Sequence, residues 1–247
     1  MPGSDAYSRV GVIFMKKRQG MLVFYSLVMA AVMAVVFGGS RAVTVFSENR
    51  TVERTHCIVI DPGHGGEDGG AVSLSGLPES TYNLEISLRL RDLLNMLGYD
   101  TKLIRNADIS VYTKGETLAQ KKASDLKERV RMVNETQNAL LLSIHQNHFP
   151  DDRYSGAQVF YAKTEGSEEL AGLLQTSFVS VLNPGSRRQI KQSSGIYLME
   201  HISCPGVLIE CGFLSNPGEE ALLRKPDYQK KLCAVIGVAT CQYLSNT

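Results

Sequence analysis

The chain of 247 residues has five cysteines but no CxxC pair among them. Lack of such a pair argues against a structural zinc site built on thiolates. Cys233 and Cys241 lie eight positions apart on an expected helix, about 12 Å along its axis and beyond disulfide reach. Cys204 and Cys211 bracket an expected extended segment and are too far apart to pair. Cys57 and Cys211 read as small buried apolar strand residues, Cys211 as packing rather than as a nucleophile. Also missing is a GK[ST] triplet after the glycines of 63–70, so that stretch is no phosphate loop. Excess positive charge is lacking too. The formal net charge is +1, yet residues 1–41 carry five basic side chains against Asp5 alone, leaving 21 basic and 24 acidic groups in residues 42–247. A mildly acidic body argues against nucleic acid as its main ligand, because phosphate binding needs clustered cations. No internal repeat or low-complexity segment is present.

What is there begins with an apolar run. Residues 21–39 are uncharged and mostly apolar, and Lys16, Lys17 and Arg18 precede them. At 1.5 Å per residue this run roughly matches a hydrocarbon core of ~30 Å. Residues 1–42 are therefore expected to be a signal or membrane anchor with its basic flank cytoplasmic, which places the rest outside the membrane. Met15 is a second candidate start. Residues 43–55 read as a linker, and 56–247 as one domain whose apolar content, 43% over the whole chain, supports a single core.

Within that domain strand-like and helical windows alternate, which predicts an α/β fold. CIVIDP (57–62), TKLIR (101–105), ALLLSIH (139–145), GAQVFYA (156–162) and GVLIECG (206–212) read as strands. A helix is expected from Glu79 to Leu97 on the spacing of Ile86, Leu90, Leu93 and Leu97, with Gly98 as its stop. A second should present Ala119, Ala123, Leu126, Val130 and Val133, with Lys121, Lys122, Asp125, Lys127 and Glu128 mostly solvated. Ser167 is a candidate cap for a third helix, and Tyr228, Leu232, Val235, Ile236 and Ala239 share one face of the last.

Four residues carry the chemistry. His64, His145 and Glu210 each fall at or near the C-terminal end of an expected strand, where open α/β sheets place their sites, and Glu79 opens a helix. Two imidazoles and a carboxylate are a normal ligand set for a hydrolytic zinc with an open fourth position. A further carboxylate can then move the proton that the attacking water gives up. Singly, each residue has a plainer reading: a loop histidine, a first-turn carboxylate favoured by the helix dipole, a buried salt bridge. Burial at the end of an apolar strand should raise the pKa of Glu210. His148, three positions after His145, is a weaker ligand candidate, and His56 and His201 read as surface or linker residues. Arg187, Arg188 and Lys191 could meet substrate carboxylates; the plainer reading of their segment is a solvated loop.

From about residue 57 onward the chain resembles the zinc-dependent N-acetylmuramoyl-L-alanine amidases of the amidase-3 family. The matching segments are IDPGHGGEDGGA (60–71), ESTYNL (79–84), SIHQN (143–147), IECGFLSNP (209–217) and LLRKPDYQKKL (222–232). YTKG (112–115), the segment 121–134, SGAQVFY (155–161) and GIYLM (195–199) narrow the resemblance to the spore-cortex branch of that family. The resemblance implies a mixed six-stranded sheet flanked by helices, Zn²⁺ on His64, Glu79 and His145, and Glu210 as catalytic acid/base. It implies peptidoglycan as substrate and action in the forespore intermembrane space, ahead of a muramic acid deacetylase and of muramic-δ-lactam formation. Ser80-Thr81 stands where Lys-Asp is usual, and Cys211 where Thr or Val is frequent. These departures leave room for an accessory protein that supports the metal site. The rival readings are a zinc peptidase acting on stem peptides and a membrane-tethered scaffold or peptidoglycan-binding protein.

Overall fold

A computed structural model describes residues 56–246. The expected signal or anchor segment and the linker lie outside the described residues. Among the described residues, no helix is long and apolar enough to cross a membrane.

The elements run β1 (Cys57–Pro62), α1 (Glu79–Met96), β2 (Asp100–Leu103), α2 (Leu118–Asn134), β3 (Ala139–Asn147), β4 (Gln158–Tyr161), α3 (Ser167–Val181), β5 (Lys191–Gln192), α4 (Tyr197–His201), β6 (Gly206–Phe213), α5 (Pro217–Leu223) and α6 (Pro226–Asn246). The strands form one sheet in the order β2-β1-β3-β6-β4-β5. β2, β1, β3 and β6 are mutually parallel, β4 runs antiparallel to β6, and β5 is parallel to β4. This is the mixed six-stranded sheet flanked by helices that the resemblance implies.

Strand side chains alternate between faces, and both faces of the central strands are covered, which is why these strands read as continuous apolar runs. On one face Ile58, Ile60, Leu140, Leu142, Ile144, Val207 and Ile209 pack with α1, α3 and α6. On the other, Val59, Leu141 and Leu208 meet Val133 of α2 and Leu198 and Met199 of α4. Along this second face, toward the C-terminal ends of the parallel strands, the alternation continues into polar residues. Asp61 follows Val59, Ser143 and His145 follow Leu141, and Glu210 follows Leu208. The polar row of the site is thus the last stretch of an otherwise apolar surface.

Three helix expectations need correction. The core stripe of α1 is Tyr82, Ile86, Leu90 and Leu94. Leu93 flanks it over Gly237, and Leu97 is an exposed C-cap beyond the last turn. In α2, Ala119 and Ala123 are exposed, whereas Ser124, Arg129 and Val133 are buried. A polar stripe turns inward there because its groups are satisfied: Ser124 Oγ accepts from the amides of Thr113 and Lys114, and Arg129 meets carboxylates. Asp125 is likewise not a solvated charge, since it accepts from Arg129 and from the Val111 amide. Finally, α3 is capped by Gly166 at φ 79° rather than by Ser167. Ser167 lies inside the first turn, buried, its Oγ accepting from the Gly206 amide at 2.9 Å.

Candidate active site

His64, Glu79 and His145 converge, with one ligand atom from each lying within 4.8 Å of the others. His64 stands in the loop after β1 at φ 60°, a conformation uncommon for a residue with a side chain. Glu79 is the first residue of α1. His145 lies on β3, which continues past it to Asn147 through a register shift against β6, so the histidine does not end its strand as expected. The two imidazole rings sit 5.0 Å apart, edge to face.

Glu79 is the hub. Its Oε1 accepts from His145 Nδ1 at 3.0 Å, Asn83 Nδ2 at 3.1 Å and the Gln146 amide at 3.1 Å. Its Oε2 accepts from the Ala71 amide at 3.2 Å and lies 3.3 Å from His64 Nε2. Burial alone would raise the Glu79 pKa, but the hydrogen bonds from His145 and His64 outweigh it and hold the carboxyl far below the usual range. The ionised form is what a cation needs. Asp68 Oδ2 lies 3.1 Å from His64 Nδ1 and 3.1 Å from Lys122 Nζ. An ionised carboxylate only accepts, so each ring nitrogen of His64 faces an acceptor; with a cation in place of the Nε2 proton, Asp68 still takes the Nδ1 proton and Nε2 is the ligand atom.

Two glycines make room for this cluster. A Cβ on Gly63 would overlap the His145 imidazole, and one on Gly70, at φ 71°, would lie 2.6 Å from Glu79 Oε2 and 2.7 Å from His64 Cδ2. Gly63→Ala is expected to destabilise the fold by about 1–3 kcal/mol as an overpacked site and to weaken the hold of the His64–Glu79–His145 cluster on any cation placed there. Urea denaturation and chelator competition check the two effects separately.

Behind the loop, two arginines hold its carbonyls. Arg105 donates to the carbonyl oxygens of Pro62, Gly63, Ser80 and Ala107. Arg129 donates to those of Pro62 and His64 and pairs with Asp61 at 2.5 Å and Asp125 at 2.6 Å. Burial works to raise the Asp61 pKa, but the Arg129 charge and the hydrogen bond from Ser143 leave it below the ordinary 3.8. Removing the acid leaves Arg129 with Asp125 as its one charged partner, so Asp61→Asn is expected to destabilise by about 1–3 kcal/mol. Because the folded-state pKa is depressed, the Asp61 contribution is full above pH 3.8 and is lost as pH falls through the lower folded value. The stability gap between wild type and variant, followed by denaturation from pH 7 to pH 2, should therefore narrow at the acid end.

Glu210 pairs directly with His145 in the β3–β6 ladder, one strand away on the same face. Its Oε2 is shut off from solvent and has no hydrogen-bond partner. Burial, opposed by His145 and assisted by the Glu79 charge, pushes its pKa up to about 7. An ionisable oxygen shut off from solvent, without a partner and adjoining a ligand set, is free to exchange a proton with a reactant.

Of the expected site residues, the fold brings together His64, Glu79, His145 and Glu210. His148 is exposed and outside the cluster. Arg187, Arg188 and Lys191 lie apart from it, lining a separate cleft of about 790 Å³. All five cysteines are free, Cys57 only half-buried. Cys211 faces the opposite side of the sheet from Glu210, and burial raises its pKa steeply, so it packs rather than reacts. Sequence reasoning missed Asp61, Asp68, Arg105, Arg129, Ser143 and Gln146. For Asp61 a signal existed: strand alternation from Val59 puts it on the site face. For Arg129, local sequence offers none.

A cluster able to hold a cation, beside a carboxyl that titrates near neutrality, is the equipment of a hydrolytic enzyme. Comparison with known proteins makes this specific. Residues 58–240 match the amidase-3 family, described as N-acetylmuramoyl-L-alanine amidase, and the chain belongs to that family. The germination-specific N-acetylmuramoyl-L-alanine amidase of Bacillus subtilis is 40% identical over 190 residues, covering 76% of this chain and 79% of that protein. The amidase LytC of the same organism is 31% identical over 189 residues, covering 75% of this chain and 35% of LytC. Among solved structures, the CwlD amidase from Clostridioides difficile in complex with the GerS lipoprotein is similar with a TM-score of 0.74 and 37% identity, covering 77% of this chain and 99% of that one.

Proposed function

We propose that the protein hydrolyses the amide between N-acetylmuramic acid and L-alanine in spore-cortex peptidoglycan, with Zn²⁺ held by His64, Glu79 and His145. The observation that carries this reading is the buried, unpartnered Glu210 Oε2 beside three converging ligand atoms. Two neutral imidazole donors and one ionised carboxylate fit a hydrolytic zinc, and with Asp68 taking the His64 Nδ1 proton, Nε2 is the ligand atom. Zinc bound there would supply Lewis acidity, which polarises a carbonyl and acidifies water.

Glu210 then takes the proton from the attacking water. It returns that proton to the alanine nitrogen as the carbon–nitrogen bond breaks, and a pKa near 7 suits both transfers. Asp68 holds the His64 ring, and Asn83 and the Gln146 amide hold Glu79, so the ligands stay in place through the reaction.

The relative's germination-specific name and the complex of the Clostridioides difficile enzyme with GerS support a role in sporulation and an accessory protein for this chain as well. The apolar run 21–39 behind its basic flank supports an extracytoplasmic site of action, anchored or secreted, in the forespore intermembrane space. There the reaction would precede a muramic acid deacetylase in forming muramic-δ-lactam. The test is incubation of the protein, with and without added zinc, on cortex peptidoglycan, with the new termini identified by mass spectrometry. Free L-alanine amino termini that depend on zinc are expected. Cuts between stem-peptide residues would establish a peptidase instead, and no cuts with any metal content would favour a binding protein.

A further inference from the structure

We infer that the cationic cleft lined by Arg187 and Lys191 receives the free carboxylates of the stem peptide, which makes it a specificity subsite for acidic peptides; this rests on the amidase reaction proposed above. The sheet links cleft and site. Glu210 pairs with His145 on one side and with Gln158 of β4 on the other, so Gln158 stands beside Glu210 on the same face. Gln158 is also a wall of the 790 Å³ cleft, together with Arg153, Arg187, Arg188 and Lys191, and no carboxylate lines it.

The cations differ in what they are free to do. Arg188 is a half-buried strut. Its Nε donates to the Ser155 carbonyl at 2.7 Å, its Nη1 donates to Gln158 Oε1 at 3.1 Å, and its guanidinium lies 4.6 Å from the centre of the Phe213 ring. It holds Gln158 rather than offering its charge. Arg153 is paired with Asp151 at 2.6 Å. Arg187 and Lys191 are exposed, and no acidic side chain pairs with either among the described residues. Two unpartnered cations in a cleft without acids select negative charge.

Distance places that charge on the peptide. Neighbouring strands lie about 4.8 Å apart, and an extended peptide advances about 3.3–3.6 Å per residue. A peptide that runs from a scissile amide at Glu210 toward β4 would carry its second and third residues to the cleft. A neutral glycan would gain nothing from Arg187 and Lys191, whereas a peptide with free side-chain or terminal carboxylates pairs with both.

The test uses the full chain with zinc and two substrates, an N-acetylmuramoyl peptide with free carboxylates and the same peptide with those groups amidated. In the double variant R187E/K191E, KM for the acidic substrate should rise about tenfold, the scale of two exposed ion pairs, with kcat within about twofold. KM for the amidated substrate should not move. An equal rise for both substrates, or none for the acidic one, overturns the inference. Equilibrium binding of the acidic peptide to E210Q protein, with and without R187E/K191E, reads the cleft without turnover. Unchanged affinity there overturns the inference even if the amidase reaction is established, and loss of affinity supports it even if wild type cleaves neither substrate.

Discussion

Glu210→Gln is expected to lower turnover by roughly a thousandfold, within the range that general acid–base catalysis contributes, while zinc stays bound. The substitution keeps shape and volume, so the wall formed by β6 and its ladder to His145 should be undisturbed. What it removes is the capacity to take a proton. Glu210 is suited to this measurement because its Oε2 has no hydrogen-bond partner, so no structural bond is lost with the charge. Muropeptide analysis reads turnover, elemental analysis reads zinc, and circular dichroism reads the fold. Turnover within a factor of about ten of wild type would move the proton transfer to another group.

His64→Ala or His145→Ala should act at the preceding step and abolish metal binding. Outer-shell partners of a metal ligand are worth about 10–100-fold in affinity, so removal of one of three ligands should exceed that, and turnover should disappear with the ion. The fold should survive, since both imidazoles are partly exposed, at 20% and 19%, and belong to neither apolar cluster. Asp68→Asn is the informative companion: it leaves all three ligands but weakens control of the His64 tautomer, so its loss of affinity should be the smaller. Unchanged zinc content in either alanine variant would refute the ligand set.

Much of this architecture was legible along the chain. Strand positions followed from apolar runs because the central strands are buried on both faces. The last helix followed from its spacing, with Leu232, Val235, Ile236 and Ala239 all buried. Ambiguity entered where polar residues turn inward. Arg129 reads as one more charge on a charged helix, and nothing nearby says that Asp61, 68 positions earlier, awaits it. The stripe of α2 was misassigned for that reason: helical periodicity reports apolar burial and is silent about a polar face whose hydrogen bonds are supplied from a distant strand. Ser167 failed differently, since a serine before an apolar run resembles an N-cap, yet Gly166 takes that position and the hydroxyl serves the Gly206 amide instead.

By itself the sequence determined the five longer strands, the four longer helices, the family and the candidate set His64, Glu79, His145 and Glu210, because these depend on residue type and local spacing; the short β5, α4 and α5 were not legible in it. Tertiary structure alone decided three things. Parallel pairing set His145 beside Glu210 and left one carboxylate oxygen dry and unpartnered, which turns an ordinary glutamate into a group that titrates near pH 7. Arg105, in the loop after β2, and Arg129, on α2, fix the loop that presents His64. The Arg187–Lys191 segment, a plain basic stretch in the sequence, comes to flank a cleft whose wall begins one strand from that glutamate. In each case the deciding quantity, local dielectric or distance between remote segments, exists only once the chain has folded.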